Sequence, residues 1–141
     1  MPTPTIKVTA TETMAIAVER DVVHLTTYVR MQAVLMGMSL LNQTKLITAA
    51  SELARNMLNY AKGGEVTIDL VNRHKQTGIR LIFADKGPGI PDIDLAMRDD
   101  YSTGSGMGLG LPGARRLVSE FSIDSTVGQG TTVTIIKWTN E

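Results

Sequence analysis

The chain of 141 residues contains no cysteine, which excludes a disulfide framework and thiolate metal sites and suits a reducing compartment. It has no excess of either charge, with 14 basic and 14 acidic residues, so a nucleic acid is not the expected main partner. Its longest apolar run, residues 33–41, is far shorter than the roughly 20 residues that span a bilayer. The N-terminus shows no charged-then-apolar signal pattern. These absences favour a cytoplasmic protein with no nucleic-acid partner and no membrane partner.

The hydrophobic pattern predicts a single domain over residues 1–141, with loosely structured residues 1–11. The expected order is strand, two helices, two strands, a glycine-rich segment, a helix and two strands. Because the later strands follow one another through short turns, we expect antiparallel pairs. The predicted fold class is therefore an α/β two-layer sandwich with a mixed, mainly antiparallel sheet and helices on one face. The expected strands are 13–19, 65–71, 78–84, 122–126 and 130–138. The expected helices are 21–37 (with Asp21 as its N-cap), one that starts at 39 or 42 and ends at 61, and 111–121, with one short helical turn at 93–98.

Three glycine patterns fall in the second half of the chain. Asp85-Lys86-Gly87-Pro88-Gly89 follows a predicted strand, where it also fits an ordinary strand-ending turn. Alternating glycines over residues 104–110 precede a predicted helix and favour close approach of backbone N–H groups to an anion. The spacing matches neither a P-loop nor a dinucleotide-binding turn. The third pattern, Gly128-Gln129-Gly130-Thr131-Thr132, is also typical of a hairpin turn.

The second helix carries two polar side chains beside its apolar stripe. Glu52 and Asn56 lie four residues apart, next to the positions expected to be buried. A buried carboxylate is unfavourable unless it has a partner. One interpretation is a boundary carboxylate bonded by a backbone group. The other is a site in which the Asn56 oxygen holds a hydrated Mg²⁺ and Glu52 activates a water or hydroxyl.

Together, the E-x-x-x-N helix, the DxGxG after a strand, the GxGxGLP loop and the final GxGT strand resemble the GHKL ATPase superfamily. The stretches AASELARNMLNYAKGG, DKGPGIPDIDLAMRDDYSTGSGMGLGLPGARRLVSEF and GQGTTVTIIKW are most similar to its serine/threonine kinases of the anti-sigma regulatory type, in particular the switch kinases of the stressosome. The resemblance covers nearly the whole chain and is weakest in the first 20 residues. It implies the Bergerat fold, with ATP and Mg²⁺ as cofactors.

The resemblance also implies a role for each matching residue. Glu52 would be the catalytic general base, and Asn56 would bind nucleotide through Mg²⁺. Asp85 would accept the adenine amino group. The remaining nucleotide-binding positions form the turn beneath the base, the phosphate lid and the support of the adenine pocket: Gly87, Gly89, Gly104, Gly106, Gly108, Gly110 and Thr131. Many relatives carry a basic residue three or four positions after the helix asparagine, where this chain has Asn59 and Tyr60.

Three functions are compatible with these residues. The leading hypothesis is a protein kinase that phosphorylates a STAS-domain partner and, when released, activates a downstream protein phosphatase. A second is an anti-sigma factor that sequesters a sigma subunit and phosphorylates its antagonist. A third is a nucleotide-dependent binding switch with little transfer activity, against which the intact Glu52 argues.

Overall fold

A computed structural model describes residues 5–98 and 110–141. Its elements, in chain order, are β1 Lys7–Ile16, α1 Glu19–Leu35, α2 Leu40–Ala61, β2 Gly64–Arg73, β3 Gln76–Asp85, α3 Ile93–Ala96, α4 Gly110–Arg116, β4 Glu120–Thr126 and β5 Gly130–Trp138. Three of the predicted site residues, Gly104, Gly106 and Gly108, lie outside the described residues.

The five strands form one sheet in the order β1-β2-β3-β5-β4. Each neighbouring pair is antiparallel, so the expected parallel component is absent from the described strands. The reason is connectivity: β2–β3 and β4–β5 are hairpins, and β5 returns between β3 and the edge strand β4. The two-layer α/β sandwich is otherwise as predicted.

The core lies between the sheet and the helices. Alternate side chains of the central strands point to one face, among them Ile68, Leu81 and Ile135, and all three are buried. Residues of α1, α2 and α4 join the same apolar cluster, so these helices cover the same face. The opposite face has a smaller cluster around Trp138, over which the Arg73 guanidinium lies 4.9 Å from the ring centre.

Two predicted boundaries near the N-terminus are wrong. The sequence predicts loose residues 1–11, but β1 already begins at Lys7 and pairs with β2. The first helix begins at Glu19 with Val18 as N-cap, not at Asp21. Asp21 instead accepts hydrogen bonds from the backbone N–H groups of Ala17 and Val18. These bonds, that of Ala17 first, lower the pKa of the Asp21 carboxyl.

The helix predicted over residues 111–121 is also too long. α4 ends at Arg116, and Glu120 and Phe121 belong to β4, where they pair with Ile136 and Ile135. No helix in the described parts of the chain, residues 5–98 and 110–141, is long and apolar enough to cross a membrane.

Candidate functional site

Helix α2 places Glu52 and Asn56 on one side, one turn apart. The helix begins after Ser39, whose hydroxyl accepts a hydrogen bond from the backbone N–H of Asn42 at 3.1 Å. It ends at Lys62, which adopts a left-handed conformation with φ of 61°. Leu53 and Met57 anchor the helix in the core, and this leaves Glu52 and Asn56 half-buried at the margin.

Glu52 has a definite partner. Its Oε1 accepts a hydrogen bond from the backbone N–H of Gly110 at 2.8 Å, where α4 begins. The expected general base is therefore held against the residue that ends the predicted phosphate lid. A hydrogen bond from a backbone group is also what the alternative interpretation, a boundary carboxylate, expects of Glu52.

The Asn56 amide makes no hydrogen bond to any other residue that the structure describes. A half-buried amide beside a carboxylate is a suitable oxygen donor for Mg²⁺, which takes oxygen ligands and keeps several of its waters. No group of three His, Asp or Glu side chains is placed to hold a metal ion within residues 5–98 and 110–141. The donors present therefore fit a metal that is held largely by the phosphates of a ligand.

Asp85 ends β3 and points to the same face of the sheet as the helices. Its Oδ1 accepts hydrogen bonds from the backbone N–H groups of Gly87 at 2.9 Å and Thr131 at 3.3 Å. Its Oδ2 accepts none from the described residues. One oxygen thus fixes the carboxylate to the protein, and the other remains an acceptor for a ligand.

The loop after Asp85 packs so closely that it requires glycine. A Cβ on Gly87 would lie 2.5 Å from the Cβ of Ala61, in the last turn of α2. Gly89 has φ of +78°, and a Cβ there would lie 2.5 Å from the backbone oxygen of Thr126. These two glycines let the loop fit between α2 and the β4–β5 turn, beside the free oxygen of Asp85.

Thr131 and a residue that the sequence analysis missed, Ser125, complete this end of the site. In the sheet, Asp85 pairs with Thr131 and Thr131 pairs with Ser125, so the three side chains form one row. The hydroxyls of Ser125 and Thr131 are 2.7 Å apart, and Ser125 Oγ accepts a hydrogen bond from the backbone N–H of Ile90 at 2.8 Å. The sequence did contain a signal for Ser125, because the register of the hairpin predicted around residues 127–129 places residue 125 opposite residue 131.

The two groups of side chains lie at different positions along α2, one beside its C-terminal end and the other near its middle. Gly87 contacts Ala61, and Ala61 lies nine positions after Glu52 in α2, which is about 14 Å along the helix axis. A nucleoside triphosphate has a comparable length from its base to its terminal phosphate. The described contacts group the predicted site residues in two places: Asp85, Gly87, Gly89 and Thr131 at the loop after β3, and Glu52 with Gly110 farther along α2, with Asn56 one turn from Glu52.

Arg55, the arginine of α2 closest in sequence to Glu52, is already engaged elsewhere. Its Nε lies 3.0 Å from Glu19 Oε1, and its guanidinium donates to Ser51 Oγ at 2.7 Å. The sequence raised Arg55, Arg98, Lys86 and Arg115 as candidates to contact a terminal phosphate. The contacts of Arg55 with Glu19 of α1 and with Ser51 make it a weak candidate. Lys86 is exposed, but it follows Asp85 directly and so lies at the end of the site that is predicted for the base.

Comparisons with known proteins identify the family of this chain. Residues 41–140 match the sequence model of the histidine kinase-, DNA gyrase B-, and HSP90-like ATPases. The serine/threonine-protein kinase RsbT of Bacillus subtilis (strain 168) is 46% identical over 103 residues, which cover 73% of this chain and 77% of that protein.

A solved structure shows the same fold. The crystal structure of the RsbU and RsbW domains of Rv1364c from Mycobacterium tuberculosis superposes with a TM-score of 0.65 at 20% identity, over 92% of this chain. At 20% identity the likeness concerns the fold alone, and this chain spans 32% of the length of that protein. Residues 41–140, which match the family model, include Glu52, Asn56, Asp85 and Thr131. The chain therefore belongs to the histidine kinase-, DNA gyrase B- and HSP90-like ATPase family, which is the GHKL superfamily that its motifs resemble.

Proposed function

We propose that this protein is an ATP- and Mg²⁺-dependent protein serine/threonine kinase of a bacterial partner-switching pathway. Its substrate is a STAS-domain protein in the cytoplasm, and the released kinase binds and activates a downstream protein phosphatase. The observation that carries the proposal is the pair of acceptors at the two ends of the site. At one end, Asp85 Oδ2 has no partner among residues 5–98 and 110–141, and the Glu52 carboxylate stands about 14 Å along α2 from the Asp85 loop.

The base of the nucleotide would lie at the Asp85 end. The free Oδ2 would accept a hydrogen bond from the exocyclic amino group of adenine, while Oδ1 stays bonded to Gly87 and Thr131. Because Oδ1 is fixed by two backbone donors, the carboxylate needs little reorganisation to receive the base. Loss of the acceptor would leave the amino group unpaired in a partly dry pocket.

Phosphate transfer would take place at the Glu52 end. Glu52 would take the proton of a serine or threonine hydroxyl as that oxygen attacks the γ-phosphorus. A new oxygen–phosphorus bond forms, the bond between the γ-phosphorus and the β–γ bridging oxygen breaks, and ADP leaves. The Asn56 amide oxygen would hold Mg²⁺, which neutralises phosphate charge when bound. Gly110 would keep the Glu52 carboxylate oriented, because its N–H already binds Oε1.

The kinase class is supported by the relative named a serine/threonine-protein kinase, at 46% identity. The STAS substrate and the phosphatase come from the resemblance of the GLGLPGARRLVSEF tract to stressosome switch kinases.

The direct test is transfer of label from γ-labelled ATP to a cognate STAS protein in the presence of Mg²⁺. We expect label on a serine or threonine, no label when that residue is replaced by alanine, and no label when Mg²⁺ is removed by a chelator. If the protein binds ATP but labels no STAS protein, the function is that of a binding switch. Capture of a purified sigma subunit in the presence of ADP would instead favour the anti-sigma function.

A further inference from the structure

The longest apolar run of the chain, residues 33–41, lies partly on the surface. It forms the end of α1, the turn that follows and the start of α2. Ala33 and Met38 are buried, but Leu35 is 78% exposed and Leu40 is 70% exposed. Single exposed apolar side chains are ordinary, whereas a contiguous group of them marks an interaction surface. The exposed part of this run is therefore a candidate interaction surface.

The exposed side chains belong to a groove between α1 and α2. Met31, Val34 and Leu35 line the groove from α1, and each is more than half exposed. Ile47 lines it from α2, and Leu40 lies seven positions before Ile47, two turns away on the same side of that helix. We call these five side chains the α1–α2 patch. An apolar groove between two helices fits an amphipathic helix, which inserts apolar side chains spaced three or four residues apart.

Arg30 gives this groove a positive charge. It lines the groove beside the patch, and residues 22–51 contain no Asp or Glu. Among residues 5–98 and 110–141, no carboxylate lies within ion-pair distance of Arg30. Its guanidinium reaches Gln43 Oε1 at 3.5 Å, which is long for a hydrogen bond. An acidic side chain on a bound partner would therefore meet a cation that no described carboxylate neutralises.

The charge argues against two other occupants of the patch. A second copy of the chain, related by a twofold axis, would set Arg30 against a surface with the same charge and no acid. Anionic membranes are bound by clusters of about four to eight basic side chains, and residues 22–51 contain only Arg30 and Lys45. A helix with acidic residues beside its apolar face matches both the shape and the charge of the groove.

We propose that the α1–α2 patch is a docking surface for an amphipathic helix of a protein partner, one that carries acidic residues beside its apolar face. The patch is separate from the proposed site of phosphate transfer. Leu40 lies 12 positions before Glu52 in α2, which is about 18 Å along the helix axis. Binding at the patch requires neither ATP nor Glu52, so the inference goes beyond the proposed function and does not depend on it.

The test uses two synthetic peptides of about 18 residues, long enough to form a helix. Both have leucine at helical spacing, and the flanking positions hold glutamate in one and lysine in the other. Fluorescence anisotropy measures their affinities for the full chain. We expect the glutamate peptide to bind at least about 5-fold more tightly than the lysine peptide, the effect of one exposed ion pair.

Substitutions in the full chain locate the binding surface. Leu35→Ser should weaken binding of the glutamate peptide by about 10-fold through loss of an apolar contact. Because Leu35 is exposed in the free protein, thermal stability should not change. Val8→Ser is the matched control, at an exposed apolar side chain on β1, and should bind the peptide as the wild type does. Arg30→Glu should reverse the preference, so that the lysine peptide binds more tightly.

Four results would overturn the proposal. Two of them are equal affinities of the wild type for the two peptides, and a Leu35→Ser protein that binds the glutamate peptide as tightly as the wild type. The third is a wild-type dimer in analytical ultracentrifugation that Leu35→Ser dissociates, which would make a second copy the occupant. The fourth is co-sedimentation of the wild type with vesicles of anionic lipid that Leu35→Ser abolishes, which would make the occupant a membrane.

Discussion

Among single residues, Asp85 bears most directly on ligand recognition, since its two carboxylate oxygens have different surroundings. Oδ1 is bonded to the backbone at Gly87 and Thr131, whereas Oδ2 has no partner among the described residues. The sequence predicted the position of Asp85 at a strand end. It could not predict the different roles of the two oxygens, because these depend on the backbone of β5, which comes 46 residues later in the chain.

Replacement of Asp85 by asparagine should weaken ATP binding and leave the fold intact. In Asp85→Asn the new side chain can still accept from Gly87 and Thr131 through its carbonyl oxygen, but it turns an NH₂ donor toward the amino group of adenine. A buried donor left unpaired costs about 1–3 kcal/mol, or roughly 10- to 100-fold in affinity. Calorimetric titration with ATP and Mg²⁺ measures the loss. Asp124→Asn, at an exposed carboxylate on β4, is the control, and equal affinities for the two variants would remove Asp85 from the binding site.

The burial of Lys137 should change how the stability of the protein depends on pH. It lies on β5, is only 5% exposed, and points to the helix-covered face. Burial lowers its pKa because the charged form loses hydration, and the nearby charge of Lys45 lowers it further. Between the lowered pKa of the folded protein and the ordinary pKa of the unfolded chain, the unfolded chain binds more protons. The free energy of unfolding therefore rises with pH in that window and is lowest below it, where Lys137 is charged in both states.

Lys137→Met should remove the free-energy cost of burying a charged side chain. We expect the variant to be more stable than the wild type by about 1 kcal/mol near neutral pH, with a smaller gain in stability as the pH becomes alkaline. Urea unfolding at about pH 7 and about pH 9.5 measures both effects. Lys7→Met, at an exposed position of β1, provides the comparison. A Lys137→Met protein with the wild-type pH dependence would show that Lys137 stays fully hydrated.

At the scale of elements, α2 is the helix on which the site is built. The sequence predicted its end at residue 61 and left its start open between residues 39 and 42, and the helix spans Leu40–Ala61. Ser39, the apolar stripe and Gly63 mark its start, face and end. Its cap can be tested. Ser39→Ala removes the acceptor for the Asn42 N–H and should lower the free energy of unfolding by about 1 kcal/mol.

Chemical denaturation of Ser39→Ala and Thr44→Ala distinguishes the cap from helix propensity. Thr44 is exposed on the same helix, and alanine there should have a neutral or slightly stabilising effect. Equal stability of the two variants would mean that the Ser39 hydroxyl contributes nothing to the start of α2.

The elements that the sequence misplaced are those whose state is set by distant partners. β1 has nearly all of its side chains exposed, since it is an edge strand of which only the end, at Met14 and Ile16, joins the core. It therefore lacks the alternation that marks a half-buried strand. Residues 117–121 have an apolar pattern that suits a helix as well as a strand. Pairing with Ile135 and Ile136 of β5 decides for the strand, and a local pattern contains no information about that pairing.

At the scale of the whole molecule, the sheet and α2 together bring distant motifs into one site. The β4–β5 turn and the loop after β3 meet because β3 and β5 are adjacent in the sheet, although Gly130 comes 45 positions after Asp85 in the sequence. The motifs could be predicted individually, and the family resemblance supplied their roles. The Gly110 N–H on Glu52 and the hydroxyl pair of Ser125 and Thr131 could not be predicted, because each joins side chains or backbone from different elements.

The central claim, that Glu52 serves as the base of a phosphate transfer, is complicated by its contact with Gly110. Glu52→Gln separates the two roles, because a glutamine side chain keeps the oxygen that accepts the Gly110 N–H and loses the ability to take a proton. Glu52→Ala removes both. ATP binding and partner binding should survive in Glu52→Gln, since Asp85 and Asn56 are unchanged.

The decisive measurement is the rate of phosphate transfer to the STAS partner by the wild type, Glu52→Gln and Glu52→Ala, with ATP affinity and thermal stability recorded for the same proteins. A catalytic base predicts that Glu52→Gln is slower than the wild type by about 10²- to 10⁴-fold at unchanged ATP affinity and stability. Transfer by Glu52→Gln at nearly the wild-type rate, with loss of activity only in Glu52→Ala, would contradict the account and show that Glu52 serves to hold Gly110 in place.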